Sequence, residues 1–148
     1  MYRRCNGRIE FLLAHPGGPY SRTKDEGYWT IPKGEPQGDE PLLDVAQREF
    51  REETGLRPQG PYLDLGWIQQ KGGKWVYAWA FEGDCDSPIS SNTFEMEWPP
   101  KSGKRQAFPE IDRAEFFAPE QARLKIKEKQ WPLLERLLVL LERPRQAP

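Results

Sequence analysis

The segment from Gly34 to Leu56 constrains this chain more than any other stretch, because it combines helix boundaries with acidic residues at helical spacing. It reads GEPQGDEPLLDVAQREFREETGL. The part from Pro41 to Thr54 has no glycine or proline after its first residue, which predicts a helix of about four turns. Gly55 suits the left-handed position that closes a helix, and Asp39 is the candidate N-cap.

Three carboxylates converge near the end of this predicted helix. On a wheel of about 100° per residue, Glu49 and Glu53 lie together beside the apolar stripe, and Glu52 lies about 60° further round. These like charges repel one another near the negative end of the helix dipole, and a divalent cation would offset that repulsion. Oxygen ligands without His or Cys favour Mg²⁺ or Mn²⁺. The alternative is an acidic helix end that binds no metal.

The spacing of the whole segment matches a longer signature. Gly34 is followed after five residues by Glu40, and after seven more by REFREETGL, which agrees with G-x5-E-x7-R-E-U-x-E-E-x-G-U, where U is a bulky apolar residue. In this pattern and spacing the chain resembles the Nudix hydrolase family. The resemblance implies an α/β fold, an α/β/α sandwich with a mixed β-sheet. It also implies hydrolysis of a nucleoside diphosphate linked to another group, by attack of water on phosphorus.

The same resemblance assigns roles to individual residues. Glu49, Glu52 and Glu53 would hold the metal, with Glu49 or Glu53 as the base, and the backbone carbonyl of Gly34 would add a metal ligand. Arg48, counted with the catalytic residues, would hold the carboxylates in place with support from Glu40. A further ligand or base is expected from the late acidic segment, in the order of preference Glu110, Glu115 and Glu97.

Cations for the substrate phosphates are expected close to this site. Lys33 directly precedes the signature and is well placed to meet a phosphate, although a solvated loop lysine fits the sequence equally well. Lys104 and Arg105 belong to a short basic loop, which is the best local anion-attracting cluster in the chain. Trp29, Phe94 and Trp98 are candidates for stacking on a base, with core packing as the alternative. His15, the only histidine, is interpreted as structural.

Length and charge narrow the class of protein. The 148 residues suit one domain, residues 1–148, with a hydrophobic core, and the net charge of −1 provides no basic field for a stable nucleic-acid complex. Cys5 and Cys85 form no zinc or disulfide pattern, which favours a reducing cytoplasm. Leu137 to Leu141 is the longest apolar run, too short for a membrane span, and no signal sequence is evident. The oligomeric state is left open, and a homodimer is compatible.

The remaining elements are predicted from periodicity. Strands are expected at residues 8–14, 28–31, 61–68, 74–82 and 90–98, with a Gly-Gly hairpin turn at 72–73. In the 74–82 strand the aromatic side chains are expected in the core, and the small ones close under a helix. The stripe of the acidic helix predicted to be buried comprises Leu42, Leu43, Val45, Ala46 and Phe50. Helices are expected at 119–126 and 131–142, and residues 143–148 as a loose tail.

Substrate identity is the least constrained inference. The segments HPGGP and FEMEWPPKSG resemble a bacterial subgroup regarded as predicted nucleoside triphosphate pyrophosphohydrolases, related to the diadenosine polyphosphate branch. A small nucleotide is therefore the expected partner, either a dinucleoside tetraphosphate or a (d)NTP. Nucleotide sugars, ADP-ribose, diphosphoinositol phosphates and 5′-triphosphorylated RNA are alternatives. A further alternative is a non-catalytic nucleotide-binding module. Such a module would be expected to have lost carboxylates of the signature, and all of them are present.

Overall fold

A computed structural model describes residues 1–34, 37–85 and 89–142, so the predicted loose tail at 143–148 lies outside the described residues. Ten strands and α-helices follow one another in the order β1 (Tyr2–Cys5), β2 (Arg8–Pro16), α1 (Leu42–Thr54), β3 (Leu63–Gln69), β4 (Trp75–Ala80), β5 (Thr93–Glu97), β6 (Arg105–Pro109), β7 (Ile111–Phe117), α2 (Pro119–Lys125) and α3 (Trp131–Glu142). A short 3₁₀ helix, Glu128–Gln130, leads into α3.

The strands of the described residues form three antiparallel sheets. β2 lies between β1 and β7, while β3 pairs with β4 and β5 pairs with β6. Among the described residues, parallel pairing is confined to two isolated bridges, Tyr2 with Glu82 and Trp29 with Ile126. The predicted strand at 28–31 is accordingly reduced to single bridges at Trp29 and Thr30.

Helices cover both faces of this β structure, as the sandwich prediction requires. Successive residues of β2 point to opposite faces, so Leu13 joins a cluster with Leu133, Leu134 and Leu137 of α3, while Leu12 joins one with Phe50 of α1. α1 therefore lies on one side and α3 on the other. The α/β architecture predicted from the sequence is confirmed.

The start of α1 differs from the prediction. Pro41 occupies the N-cap position with no side-chain hydrogen bond, so the prediction of Asp39 as the cap was wrong. The end is as predicted, because Gly55 adopts the left-handed conformation with a φ of 74° and its N–H donates to the Arg51 carbonyl. In the predicted apolar stripe, only Val45 and Phe50 are buried. Leu42 at the start of α1 is exposed.

The two faces of the β3–β4 hairpin are packed differently from the prediction. Ala78 and Ala80 are buried in the α3 cluster, which confirms the small face under a helix. Trp75 is exposed, and Tyr77 and Trp79 are only partly buried, so the prediction that the aromatic face is core was wrong except at Phe81. Trp29, a candidate for stacking on a base, is instead 1% exposed and lies in the core.

Candidate active site

Arg48 organises the acidic residues along α1. Its guanidinium donates to both oxygens of Glu40, with Nε at 3.1 Å and Nη2 at 2.9 Å, while Nη1 donates to Glu49 at 3.0 Å and Glu52 at 3.2 Å. The paired guanidinium lowers the pKa of Glu40, and the carboxylate of Glu40 in turn raises the pKa of Arg48. Arg48 therefore remains charged and fixes three carboxylates at the protein surface.

Glu53 occupies a different environment, because it is buried. Glu53 is only 8% exposed, and its Oε2 accepts a hydrogen bond from the backbone N–H of Lys33 at 3.0 Å. Burial raises the pKa of Glu53 to about 8, and the nearby charges of Glu49 and Glu110 act in the same direction. A carboxylate with a pKa near neutrality can accept and release a proton under physiological conditions.

Gly34 fits against Glu49 in a way that only glycine allows. A Cβ atom at position 34 would lie 1.9 Å from Cδ of Glu49 and 2.1 Å from its Oε2. The absence of a side chain thus brings the backbone of the loop against the carboxylate. Burial raises the pKa of Glu49, and the charge of Glu52 raises it further.

Glu110 is the late acidic residue that the structure brings towards this site. It lies between β6 and β7, where its N–H donates to Asn92 at 2.8 Å and its carbonyl accepts from Gly17 at 2.9 Å. Its charge contributes to the raised pKa values of both Glu49 and Glu53. The backbone of Asn92 in turn donates to the Glu52 carbonyl at 2.9 Å, which ties the β5–β6–β7 region to the end of α1.

The two second-choice acids are placed less favourably. Glu97 pairs with Arg105 in the register of β5 and β6, at the far end of that hairpin. Glu115 lies between Ala114 and Phe116 in β7, and those two neighbours pack in the cluster on the α1 side. Because strand residues alternate, Glu115 belongs to the opposite face.

The predicted phosphate-binding cations separate into two groups. Lys33 lies in the site, with its charge acting on Glu53. Arg105 begins β6 and forms an ion pair with Glu95 at 3.5 Å. Along β6, Arg105 lies four residues before Pro109, which is roughly 13 Å. The structure therefore does not bring Lys104 and Arg105 to the carboxylates, because the hairpin extends away from them.

Sequence reasoning missed Lys127. Its backbone N–H donates to the Trp29 carbonyl at 2.8 Å, beside the segment that leads to Lys33. Partial burial lowers the pKa of Lys127, and the neighbouring charge of Lys33 lowers it further. The two residues are 94 positions apart, and Lys127 is one of several lysines in its segment, so the sequence carries no local signal for this pair.

A buried glutamine supports the loop that carries Lys33. Gln130 is fully buried, and its Oε1 accepts from the Ile31 N–H at 3.0 Å and from the Thr30 hydroxyl at 3.0 Å. Its Nε2 donates to Gln70 at 3.0 Å. One side chain thereby joins three segments, which are the 3₁₀ helix before α3, the β3–β4 turn and the loop that carries Lys33.

His15 is structural, as the sequence indicated. It is fully buried, with Nδ1 lying 2.8 Å from Asp112 and Nε2 lying 2.6 Å from the Lys24 carbonyl. Its ring also contacts Trp29 edge-on at 5.1 Å between centroids. Both nitrogens are occupied within the fold, which leaves the carboxylates as the groups for acid–base chemistry.

The donor chemistry of the site suits a divalent cation. In the part of the chain that the structure describes, no three acidic, histidine or cysteine side chains form a ready-made metal cluster. Glu49 and Glu52 instead share the positive charge of Arg48. The residues present still fit a hard cation, since they offer carboxylate oxygens and an approach at Gly34 without a side chain. Burial, and after it the charges of neighbouring carboxylates, raises the pKa values of Glu49 and Glu53, and a cation would offset both effects.

Comparison with known proteins agrees with this arrangement. The NUDIX domain family model matches residues 2–137. No curated protein matches the chain significantly. Across residues 1–34, 37–85 and 89–142, no helix has both the length and the apolar character needed to cross a membrane.

Solved structures share the fold at low sequence identity. A binary complex of the Ap4A hydrolase from C. elegans aligns with a TM-score of 0.63 and 22% identity, covering 95% of this chain and 92% of that one. The E. coli ORF135 protein aligns with a TM-score of 0.56 and 23% identity, covering 99% and 90%. The NUDIX domain of Shewanella oneidensis NrtR, complexed with ADP ribose, aligns with a TM-score of 0.58 and 15% identity, covering 95% and 82%.

The family model extends well beyond the acidic helix to nearly the whole chain. The segment from Gly34 to Leu56, which includes this helix, carries every fixed position of the Nudix signature. The protein therefore belongs to the Nudix family and is a hydrolase that acts on pyrophosphate bonds.

Proposed function

We propose that this protein is a divalent-metal-dependent pyrophosphohydrolase of a nucleoside polyphosphate, either a dinucleoside tetraphosphate or a (d)NTP. The observation that carries the proposal is the meeting of Glu49 and Glu53 with the Lys33–Gly34 loop, where a buried and a partly buried carboxylate adjoin the charge of Lys33. Carboxylates suit metal binding and proton transfer, and lysines suit substrate phosphates.

Nudix hydrolases generally need a divalent metal, and Mg²⁺ or Mn²⁺ fits the oxygen ligands proposed here. Glu49, Glu52 and Glu53, the Gly34 carbonyl and Glu110 would hold the ion. When bound, it would neutralise charge on the phosphate oxygens and lower the pKa of a bound water. Arg48 does not contact the substrate in this scheme; it positions Glu49 and Glu52 through the hydrogen bonds described above.

The reaction is attack of water on a phosphorus atom of the polyphosphate. The oxygen–phosphorus bond forms as the bridging oxygen leaves with the bond electrons, and the water proton passes to a carboxylate. Glu49 and Glu53 are the candidate bases, and burial favours Glu53 because it raises the pKa of that carboxyl towards neutrality. Lys33 and Lys127 would bind the phosphates, since the charge of Lys33 acts on Lys127 and an anion would offset that repulsion.

The test is a hydrolysis screen with the full chain in Mg²⁺ or Mn²⁺. The panel comprises diadenosine tetraphosphate, (d)NTPs, ADP-ribose, nucleotide sugars, diphosphoinositol phosphates and 5′-triphosphorylated RNA. Products resolved by chromatography in heavy-oxygen water identify the phosphorus that is attacked. We expect turnover of a dinucleoside tetraphosphate or a (d)NTP that stops on chelation of the metal. Binding without turnover across the panel would instead indicate a nucleotide-binding module.

A further inference from the structure

The outer face of the β3–β4 hairpin carries an exposed aromatic surface. Trp67 is 48% exposed and Trp75 is 60% exposed, although both belong to regular strands. Tyr77 packs edge-on against Trp67 with centroids 4.7 Å apart, and Trp79 follows at 4.4 Å from Tyr77. These four large rings share one face of the hairpin, and leaving two of them exposed to water is costly, which marks the surface as a place where something binds.

The amino-terminal part of α1 faces this surface across a gap. Further along the helix, Phe50 contacts Phe81 at 5.0 Å between ring centroids, so helix and sheet are closely packed there. At the first turn, Leu42 is 38% exposed. Both elements line one cavity of about 310 Å³, which also extends to core residues on the α3 side such as Leu133 and Leu137. We call the part between α1 and the rings the aromatic cleft and define it by Leu42, Leu43, Ala46, Trp67, Trp75, Tyr77 and Trp79.

The aromatic cleft is continuous with the candidate active site. Lys33 and Gly34 are among the residues that line it. The same two residues contact the catalytic carboxylates, through the Lys33 N–H to Glu53 and the Gly34 backbone against Glu49. A ligand in the cleft can therefore extend directly to the carboxylates and the lysine charges.

We propose that the aromatic cleft binds the heteroaromatic base of the substrate, with the attached phosphates extending over Lys33. This inference rests on the proposed function, which it deepens by assigning the base a place. The whole cavity of about 310 Å³, of which the aromatic cleft is a part, lies at the lower end of the range for small-molecule pockets. Apolar walls and exposed rings suit the flat π-face of a base, and the amides of Gln47 and Gln70, which also line the cavity, suit its polar edge.

The occupant is a base rather than a second copy of the chain because of this continuity with Lys33. A dimer contact would cover the rings but would have no reason to lead to the charged loop, whereas a nucleotide has an apolar end and an anionic end in one molecule. Along the protein the apolar cleft is followed by the lysines and then by the carboxylates. Along the nucleotide the base is followed by the phosphates and the cleaved bond, so the two orders match.

The experiment compares two ligands that differ only in the nucleoside. Binding of adenosine diphosphate and of inorganic pyrophosphate to the full chain is measured by calorimetry without metal, so that no turnover is needed. We expect Trp75→Ala to weaken binding of adenosine diphosphate about tenfold and to leave pyrophosphate binding unchanged. Trp75→Phe should restore most of the affinity. Val139→Ala, which shortens an exposed apolar side chain of α3, is the control and should bind both ligands like the unmodified protein.

Three results would overturn the proposal. One is equal binding of the two ligands to the unmodified protein, which would mean that the base adds nothing. Another is a loss of both affinities in Trp75→Ala with intact circular dichroism. The third is a concentration-dependent dimer that Trp75→Ala dissociates, which would make the aromatic cleft an interface between copies. Failure of the hydrolysis screen alone would contradict the proposed function and leave this binding comparison interpretable.

Discussion

The two ends of α1 differ in how closely they are packed. Near the carboxyl end, Phe50 contacts Phe81, Glu53 is buried, and the Gly34 backbone lies against Glu49. At the amino end, Leu42 stands exposed opposite the rings of β4. One helix thus fixes the proposed catalytic groups by close contact at one end and leaves space at the other, where we propose that the base of the substrate binds.

The largest effect should come from the buried carboxylate at the packed end. Glu53→Gln keeps the shape of the side chain but removes its ability to accept a proton, so we expect kcat to fall about 100- to 10,000-fold with an unchanged circular dichroism spectrum. Glu135→Gln on the exposed face of α3 is the control and should retain full activity. Near-normal kcat in Glu53→Gln would contradict the assignment.

The difference in packing can be measured directly as stability. Phe50→Ala should lower the free energy of unfolding by about 3–5 kcal/mol, because it leaves a cavity against Phe81. Leu42→Ala removes an exposed side chain and should cost less than about 1 kcal/mol. Chemical denaturation of both variants gives the comparison. Similar losses in the two would show that the amino end of α1 is packed as firmly as the rest.

Adding one methyl group at the loop tests the contact with Glu49. Gly34→Ala places a Cβ where the Glu49 carboxyl lies, so the loop or the side chain must move, and we expect kcat/KM to fall about tenfold or more. Gly7→Ala introduces the same methyl group at a turn where φ is 77° and no atom lies within 4 Å, so it strains the backbone without a contact and controls for a general loss of stability. Equal kinetics in these two variants would mean that the contact at Gly34 is unimportant for catalysis.

The lysine pair predicts a smaller effect, confined to substrate binding. Lys127→Gln should raise KM for the best substrate of the screen roughly fivefold, corresponding to about 1 kcal/mol, while kcat changes little. Lys129→Gln in the following 3₁₀ helix removes an exposed charge from the same segment and should leave KM unaltered. If kcat falls instead of KM rising, Lys127 does not act on the bound phosphates.

The raised pKa of Glu53 gives a pH dependence of stability. Between about pH 4.5 and 8 the folded protein retains a proton on Glu53 that the unfolded chain has released, so its contribution to the free energy of unfolding falls as the pH rises. Other titratable groups contribute equally to the pH dependence of the free energy of unfolding in the unmodified protein and in Glu53→Gln. Chemical denaturation without metal should therefore show that the free energy of unfolding falls more from about pH 5 to pH 8 in the unmodified protein than in the variant. Equal pH slopes would contradict the shift.

Residues close together in sequence were the most predictable. The carboxylates of α1 and the Gly55 cap lie within one helix, where spacing alone determines which side chains meet. The bounds of α3 were also predicted correctly, because its leucines recur with a clear helical period. The pairing of Arg48 with Glu52 is likewise a consequence of i,i+4 spacing.

Contacts between distant segments were not predictable in the same way. Alternation along β4 correctly separated the aromatic face from the small face, but whether α1 covers Trp75 depends on where the helix crosses the sheet. The position of Lys127 beside Lys33 depends on a bridge between Trp29 and Ile126. Lys104 and Arg105 looked suitable by charge, yet the length of the β5–β6 hairpin carries them away from Glu110.

The bonds made by Gln130 have a consequence for assembly of the enzyme. Ile31 and Gln130 are 99 positions apart, yet this glutamine holds the residues that immediately precede Lys33. A nascent chain that has emerged only as far as α2 would already contain every proposed metal ligand, but the loop beside them would lack its support. Competence for hydrolysis should accordingly appear only after the segment of Gln130 and α3 has docked against the sheet.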